Sequence, residues 1–197
     1  SIRMLALVLT LAGNVTHASD LELEEYLQRA ASARARGDWQ SAAHQFAQAI
    51  NHADLPRGGT MRSEVHLEYG RSMGVLCQYA EAEKYLLKAK DIAAQAGAPM
   101  FPVLQELLAV SVAQKKYDAA TAYFAQLQPL IERESRIKSS PLQVANAFER
   151  IADVLMAAGK TAEADARRAE AARVREAAPK KAPAGTITPY GAQCPRG

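Results

Sequence analysis

Apolar and small residues recur at helical spacing from about Asp20 to Ala178, and glycine interrupts them at short intervals. The pattern reads as helix, short turn, helix, repeated. Helix starts are expected at the capping sequences Ser19-x-x-Glu22 and Ser140-Pro141-Leu142-Gln143, and at Asp38 and Thr60. Stops are expected at Gly37, Gly58-Gly59, Gly97 and Gly159, because glycine tolerates the left-handed conformation that ends a helix.

One short motif returns in altered form. Gly37-Asp38-Trp39-Gln40-Ser41-Ala42 is followed by CQYAEA at 77–82, KKYDAA at 115–120 and GKTAEA at 159–164. Aligning Ala42, Ala82, Ala120 and Ala164 puts Ala30, Gly70, Leu108 and Ala152 twelve residues upstream of them. Phe46, Leu86, Phe124 and Arg168 fall four downstream, and Ala49, Ala89, Leu127 and Ala171 fall seven downstream. The twelve-residue offset is constant, whereas successive units advance by 40, 38 and 44 residues. A fixed hairpin joined by loops of varying length produces that combination. The hairpin needs small residues where its helices cross and larger ones at the flanks.

The arrangement resembles the tetratricopeptide repeat, in which aromatic-x-x-Leu-Gly-x-x-Tyr precedes Ala-x-x-x-Phe. The first unit carries Tyr26, Arg29, Ala30 and Ala33 with Ala42 and Phe46; the second carries His66, Tyr69, Gly70 and Met73 with Ala82 and Leu86. The third has Leu104, Leu107, Leu108 and Ser111 with Ala120 and Phe124; the fourth has Phe148, Ile151, Ala152 and Leu155 with Ala164 and Arg168. The resemblance covers residues 23–178 and implies an all-α, right-handed superhelical solenoid of about four antiparallel helix-turn-helix repeats. Its period exceeds the usual ~34 residues, which resembles kinesin light chain-type repeats and predicts an extra turn in each second helix. Leu108 and Arg168 depart from the pattern, and Arg168 marks the last helix as a water-facing cap. A plain helical bundle is the alternative architecture.

Composition adds an organisation in three parts. Arg3, the apolar run Met4–Ala12 and the small-x-Ala sequence Thr16-His17-Ala18 have the order of a secretory signal over residues 1–18. The chain opens on Ser1, which suggests a further stretch before it. The apolar run is about half the ~20 residues of a membrane-spanning helix, so a stable anchor is not expected. Together with the Ala- and Arg-rich composition, the signal points to a periplasmic or secreted bacterial protein. Residues 19–178 form the repeat domain, and 179–197, with Pro179, Pro183, Pro189 and Pro195, are expected to be a disordered tail adding nothing to stability.

Net charge is +3, with acids and bases interleaved even in the Arg-rich stretch 167–175, which argues against nucleic acid. Cys77 and Cys194 are too far apart for a Cys-x-x-Cys site. Free thiols are the favoured expectation for them, with a bridge as the alternative. His44 and His52 lie about two helical turns apart, too far to share a metal ion, and His66 occupies an aromatic packing column. No catalytic motif, metal site or cofactor loop is recognisable. The expectation is a non-catalytic scaffold without cofactor.

What the resemblance implies is protein–protein interaction in a concave groove lined by the first helices, in a cell-envelope setting. Its alternatives are a self-associating structural subunit and a regulatory domain of a larger protein. In the repeat register the groove residues are Glu24, Leu27 and Ala31; Glu64, Leu67 and Arg71; Pro102, Gln105 and Ala109; and Asn146, Glu149 and Asp153. Relatives that clamp a chaperone's C-terminal carboxylate carry Lys and Asn where Leu27 and Ala31 stand, so that clamp is not expected. A peptide or partner helix with apolar anchors and some basic residues fits better. Expression with the native leader should yield a chain cleaved after about Ala18 by mass spectrometry; an intact N-terminus in the cytoplasm would overturn the export reading.

Overall fold

The computed structural model describes residues 15–131, 139–179 and 187–194, with the backbone alone for 15–21. The expected signal segment therefore lies outside the described residues as far as residue 14. Among the described residues there are eight helices and no strands: α1 (Val15–Ala35), α2 (Trp39–Asn51), α3 (Thr60–Val75), α4 (Tyr79–Ala96), α5 (Phe101–Ala113), α6 (Tyr117–Ile131), α7 (Pro141–Ala157) and α8 (Thr161–Ala177). Each packs chiefly on its neighbours in the chain, so the architecture is an all-α stack of helical hairpins.

The recurring motif is the turn inside each hairpin. Gly37, Cys77, Lys115 and Gly159 occupy equivalent places, and all four have positive φ, between 59° and 75°. The next residue's amide donates five residues back in every unit: Asp38 to Ala33, Gln78 to Met73, Lys116 to Ser111 and Lys160 to Leu155, each at 2.9 Å. These bonds pair carbonyls that the end of the first helix would otherwise leave unsatisfied. The same residue's carbonyl then receives the alanine amide that opens the second helix, at 2.9–3.0 Å in all four units. The third place, held by Trp39, Tyr79, Tyr117 and Thr161, is the first residue of each second helix.

The alanines follow from the crossing. Ala42, Ala82, Ala120 and Ala164 are fully buried, as are Ala30, Leu108 and Ala152. Opposite Ala82 stands Gly70, where an added Cβ would lie 2.8 Å from Leu86 Cγ and 3.1 Å from the Ala82 carbonyl oxygen. The two helices thus touch through backbone. Around each crossing the larger residues gather into three apolar clusters, centred on Phe46 and Leu55, on Leu86 and Leu107, and on Phe124, Phe148 and Ile151. His66 is buried against the Tyr85 ring at 5.6 Å, with its Nδ1 2.8 Å from the Arg62 carbonyl oxygen. Burial pushes its pKa below the ordinary imidazole value. It is a packing residue.

Several boundaries differ from the pattern-based reading. Helix α1 already includes Val15, so Ser19 and Glu22 lie within it and do not cap it, and the expected cleavage at Ala18 falls inside the helix. Thr60 is the first residue of α3, with Gly59 before it at φ 89°. Asp38 does cap α2, accepting from the Ser41 amide at 3.0 Å, and its pKa is lowered by the Ser41 side chain first and by that amide second. Ser140 precedes α7 as expected, but its side chain makes no cap bond. The extra length of the units is not always helical. Helix α2 has 13 residues and is followed by the loop 52–59, whereas α4 has 18 and ends at left-handed Gly97.

The last helix is a cap. Its buried residues are Ala164 and Ala171, and Arg168 stands in water 3.4 Å from Asp153 and 3.6 Å from Asp165. The principal departure is at the C-terminus, where residues 187–194 pack back onto the repeats. Ala82→Leu should overpack the α3–α4 crossing and cost roughly 1–3 kcal/mol in urea unfolding, while Ala94→Leu on the exposed side of α4 changes little. Equal effects of the two substitutions would refute the register.

Candidate functional site

A chain of ion pairs crosses the first helices. Arg34 of α1 pairs with Glu68 of α3, Glu68 also holds Arg71 one turn on, and Arg71 Nε lies 3.1 Å from Glu106 Oε1 of α5. Glu106 is the one charged residue of α5 and is 3% exposed. Burial works to lower the Arg71 pKa, and the charges of Glu106 and Glu68 more than offset it, so the guanidinium stays charged. Removing Arg71 would leave the buried Glu106 carboxylate without its ion-pair partner, at a cost of about 3–5 kcal/mol, whereas removing Glu106 leaves Arg71 still paired with Glu68.

The chain's own C-terminal segment closes this face. The Tyr190 hydroxyl donates to Glu106 Oε2 at 2.7 Å. Its ring lies on the bare backbone of Gly74, where any Cβ would overlap Cδ1 and Cε1. Burial first, then the Glu106 charge, raises the phenol well above its usual pKa, so it remains a hydrogen-bond donor. Gly191 takes φ 79° and passes the Tyr79 hydroxyl. The Gln193 amide donates to the Val75 carbonyl at 3.2 Å, and its side-chain nitrogen donates to the Gly37 carbonyl at 3.0 Å. Cys194 is then bonded to Cys77, with their Cα atoms 5.2 Å apart.

This corrects two expectations. The cysteines form a disulfide, and the tail 179–197 is docked over 187–194; residues 180–186 and 195–197 lie outside the described residues. Residues 187–194, which include Pro189, are non-helical as expected. Their order comes instead from one aromatic ring, one glycine turn and one covalent bond, and average composition registers none of them.

The residues assigned to the groove from sequence are distributed unevenly. Glu24 and Glu64 are exposed, and Leu27 is half-buried. Leu67 is buried in the second core cluster, and Arg71 lies beneath Tyr190 in the ion-pair chain. Gln105 is buried, donating to the Gln143 carbonyl at 2.8 Å. Asn146 and Glu149 both receive Arg175, at 3.0 and 2.8 Å, and that bond lowers the Glu149 pKa. Asp153 is exposed beside Arg168. Sequence register therefore found Arg71 but missed Glu106, Gly74 and Tyr190. Two signals pointed there: a lone charge in the apolar run of α5, and a cysteine where units one and four carry glycine.

Elsewhere, a shallow groove of about 500 Å³ runs between α6, α7 and α8. Arg167 spans its floor, pairing with Glu170 at 2.8 Å and lying 5.5 Å from the Phe124 ring centre. Among the described residues no cluster of His, Cys, Asp and Glu is arranged to hold a metal ion. His52 pairs weakly with Glu22 and Asp54, at 3.5 and 3.7 Å, and His44 is exposed well away from them. No described helix is long and apolar enough to cross a membrane.

No family model matches the chain, and no curated protein matches it. Among solved structures it is similar to the crystal structure of BtubC (BKLC) from P. vanneervenii, at 14% identity and a TM-score of 0.48, over 87% of this chain and 95% of that one. The fold described here is that of a helical repeat protein, and its class rests on the four equivalent turns. Reducing the disulfide, or the change Cys194→Ser, should lower stability by about 2–4 kcal/mol, since the bridge closes a long loop. Calorimetry with and without reductant checks this; an unchanged melting temperature would mean the tail is not bound to α3 in solution.

Proposed function

We propose that the chain is a non-catalytic interaction scaffold of tetratricopeptide type, with long units like those of kinesin light chain. It binds an extended segment of a partner protein along the first-helix face and works in the bacterial cell envelope. The observation that carries this reading is the docking of residues 187–194, a non-helical segment held on that face by side-chain and main-chain bonds. A surface that holds one such segment has the donors, carbonyls and bare backbone to hold another. The buried charges of Arg71 and Glu106 fix the register of α3 and α5 on that face. The disulfide supports the envelope assignment, because such bonds persist in oxidising compartments.

Partner contacts then fall on the accessible part of the face, at Glu24, Leu27, Glu64 and Asp153, with Arg71, Gln105, Asn146 and Glu149 shaping it from beneath and Leu67 anchoring α3. Photocrosslinking groups placed at Leu27 and Glu64 in cells should give protein adducts of discrete mass. The same groups at Asp91 and Arg173, exposed on second helices, should not. Equal adducts from all four positions, or none from any, would overturn the assignment of the face.

A further inference from the structure

The Tyr190 contact combines core packing with features of a ligand site. The ring packs against the second apolar cluster, as a core residue would, but it also rests on a helix backbone left bare by Gly74, and its hydroxyl meets a carboxylate already paired with Arg71. When the phenol leaves, Glu106 keeps its counter-ion and the pair opens to water, so no buried charge is orphaned. The socket is therefore stable full or empty.

The sulfur beside it sits on a left-handed turn residue. Cys77 has φ 65°, a conformation that residues bearing a side chain adopt less readily than glycine. Glycine fills the equivalent place in units one and four. Its partner Cys194 is exposed, within reach of a small thiol.

We infer that the socket formed by Gly74, Glu106 and Arg71 is a subsite for a tyrosine–glycine turn in an extended peptide, and that the Cys77–Cys194 bond decides whether the chain's own Tyr190 or a partner's tyrosine fills it. This rests on the reading of the first-helix face as a peptide-binding surface. Oxidised, the tail is covalently closed over the socket. A dithiol reductant opens it: one thiolate attacks the Cys194 sulfur and Cys77 leaves as a thiolate that takes a proton. The second thiol of the reductant then displaces Cys194. Two electrons and two protons pass to the protein, and the dithiol becomes a disulfide. The freed tail stays tethered, at an effective concentration on the order of millimolar, so a partner competes with it rather than meeting an empty site.

The probe is a fluorescent peptide with the sequence of residues 187–194 and serine in place of the cysteine, titrated by anisotropy against full-length chain. Oxidised wild type should not bind it, and reduced wild type should bind weakly. The double variant Tyr190→Ala, Cys194→Ser, whose tail cannot refill the socket, should bind at least about tenfold tighter than reduced wild type. Adding Gly74→Ala to that variant, or replacing the peptide's tyrosine with alanine, should abolish binding. Circular dichroism confirms that each variant is helical. As a readout independent of the double variant, Gly74→Ala in the disulfide-closed chain should speed reduction by dithiothreitol, while Tyr117→Ala should not. Equal peptide binding by oxidised wild type and the double variant, or an unchanged reduction rate in Gly74→Ala, would overturn the inference. Crosslinks at Leu27 and Glu64 without peptide binding would refute the socket alone and leave the wider face standing.

Discussion

Two helices can approach until their backbones touch only if nothing stands between them, and every hairpin of this chain is organised around that limit. Ala82 and Gly70 define it most sharply, since a single methyl at Gly70 would press on Leu86 and on the Ala82 carbonyl. Once the crossing is this close, the turn has just three residues to reverse direction, as at 36–38, 76–78, 114–116 and 158–160. A reversal that short needs one residue in the left-handed region. The larger residues on either side of the crossing then have fixed gaps to fill, and unit stacks on unit.

That dependence explains what could be read in advance. The alanine column, its upstream partner and the turn glycines are local features at fixed spacing, so the hairpins and their register were evident from the residues alone. The capping role of α8 followed from Arg168, a charge at a core position. Loop 52–59 and the helical state of residues 15–19 were less evident, because small and polar residues there fit helix and loop equally well. The candidate site was half visible. Arg71 emerged from the register, but its partner Glu106 lies 35 residues away, and Tyr190 lies 84 beyond Glu106. Contacts that distant depend on the completed stack, and local periodicity carries no trace of them.

The ion-pair chain from Arg34 to Glu106 ties together three units through charge where the clusters beneath tie them through apolar contact. Hydrophobic packing tolerates a small slip of one helix along another, whereas a buried guanidinium between two carboxylates does not. The pairs therefore fix how α1, α3 and α5 stand relative to one another, and with that the spacing of any groups they present. Tyr190 reads that spacing directly, since its ring touches α3 and its hydroxyl touches α5.

In a simple stack, tension on one end is passed from each hairpin to the next, and the terminal hairpin peels first. The sulfur–sulfur link to Cys77 reroutes that load. A pull on residues beyond Cys194 reaches the turn between α3 and α4 directly, and the fourth hairpin carries none of it. While the bond holds, the molecule resists being drawn out from its C-terminus in the way a closed ring does. Once it is reduced, the same pull unzips the array from its cap.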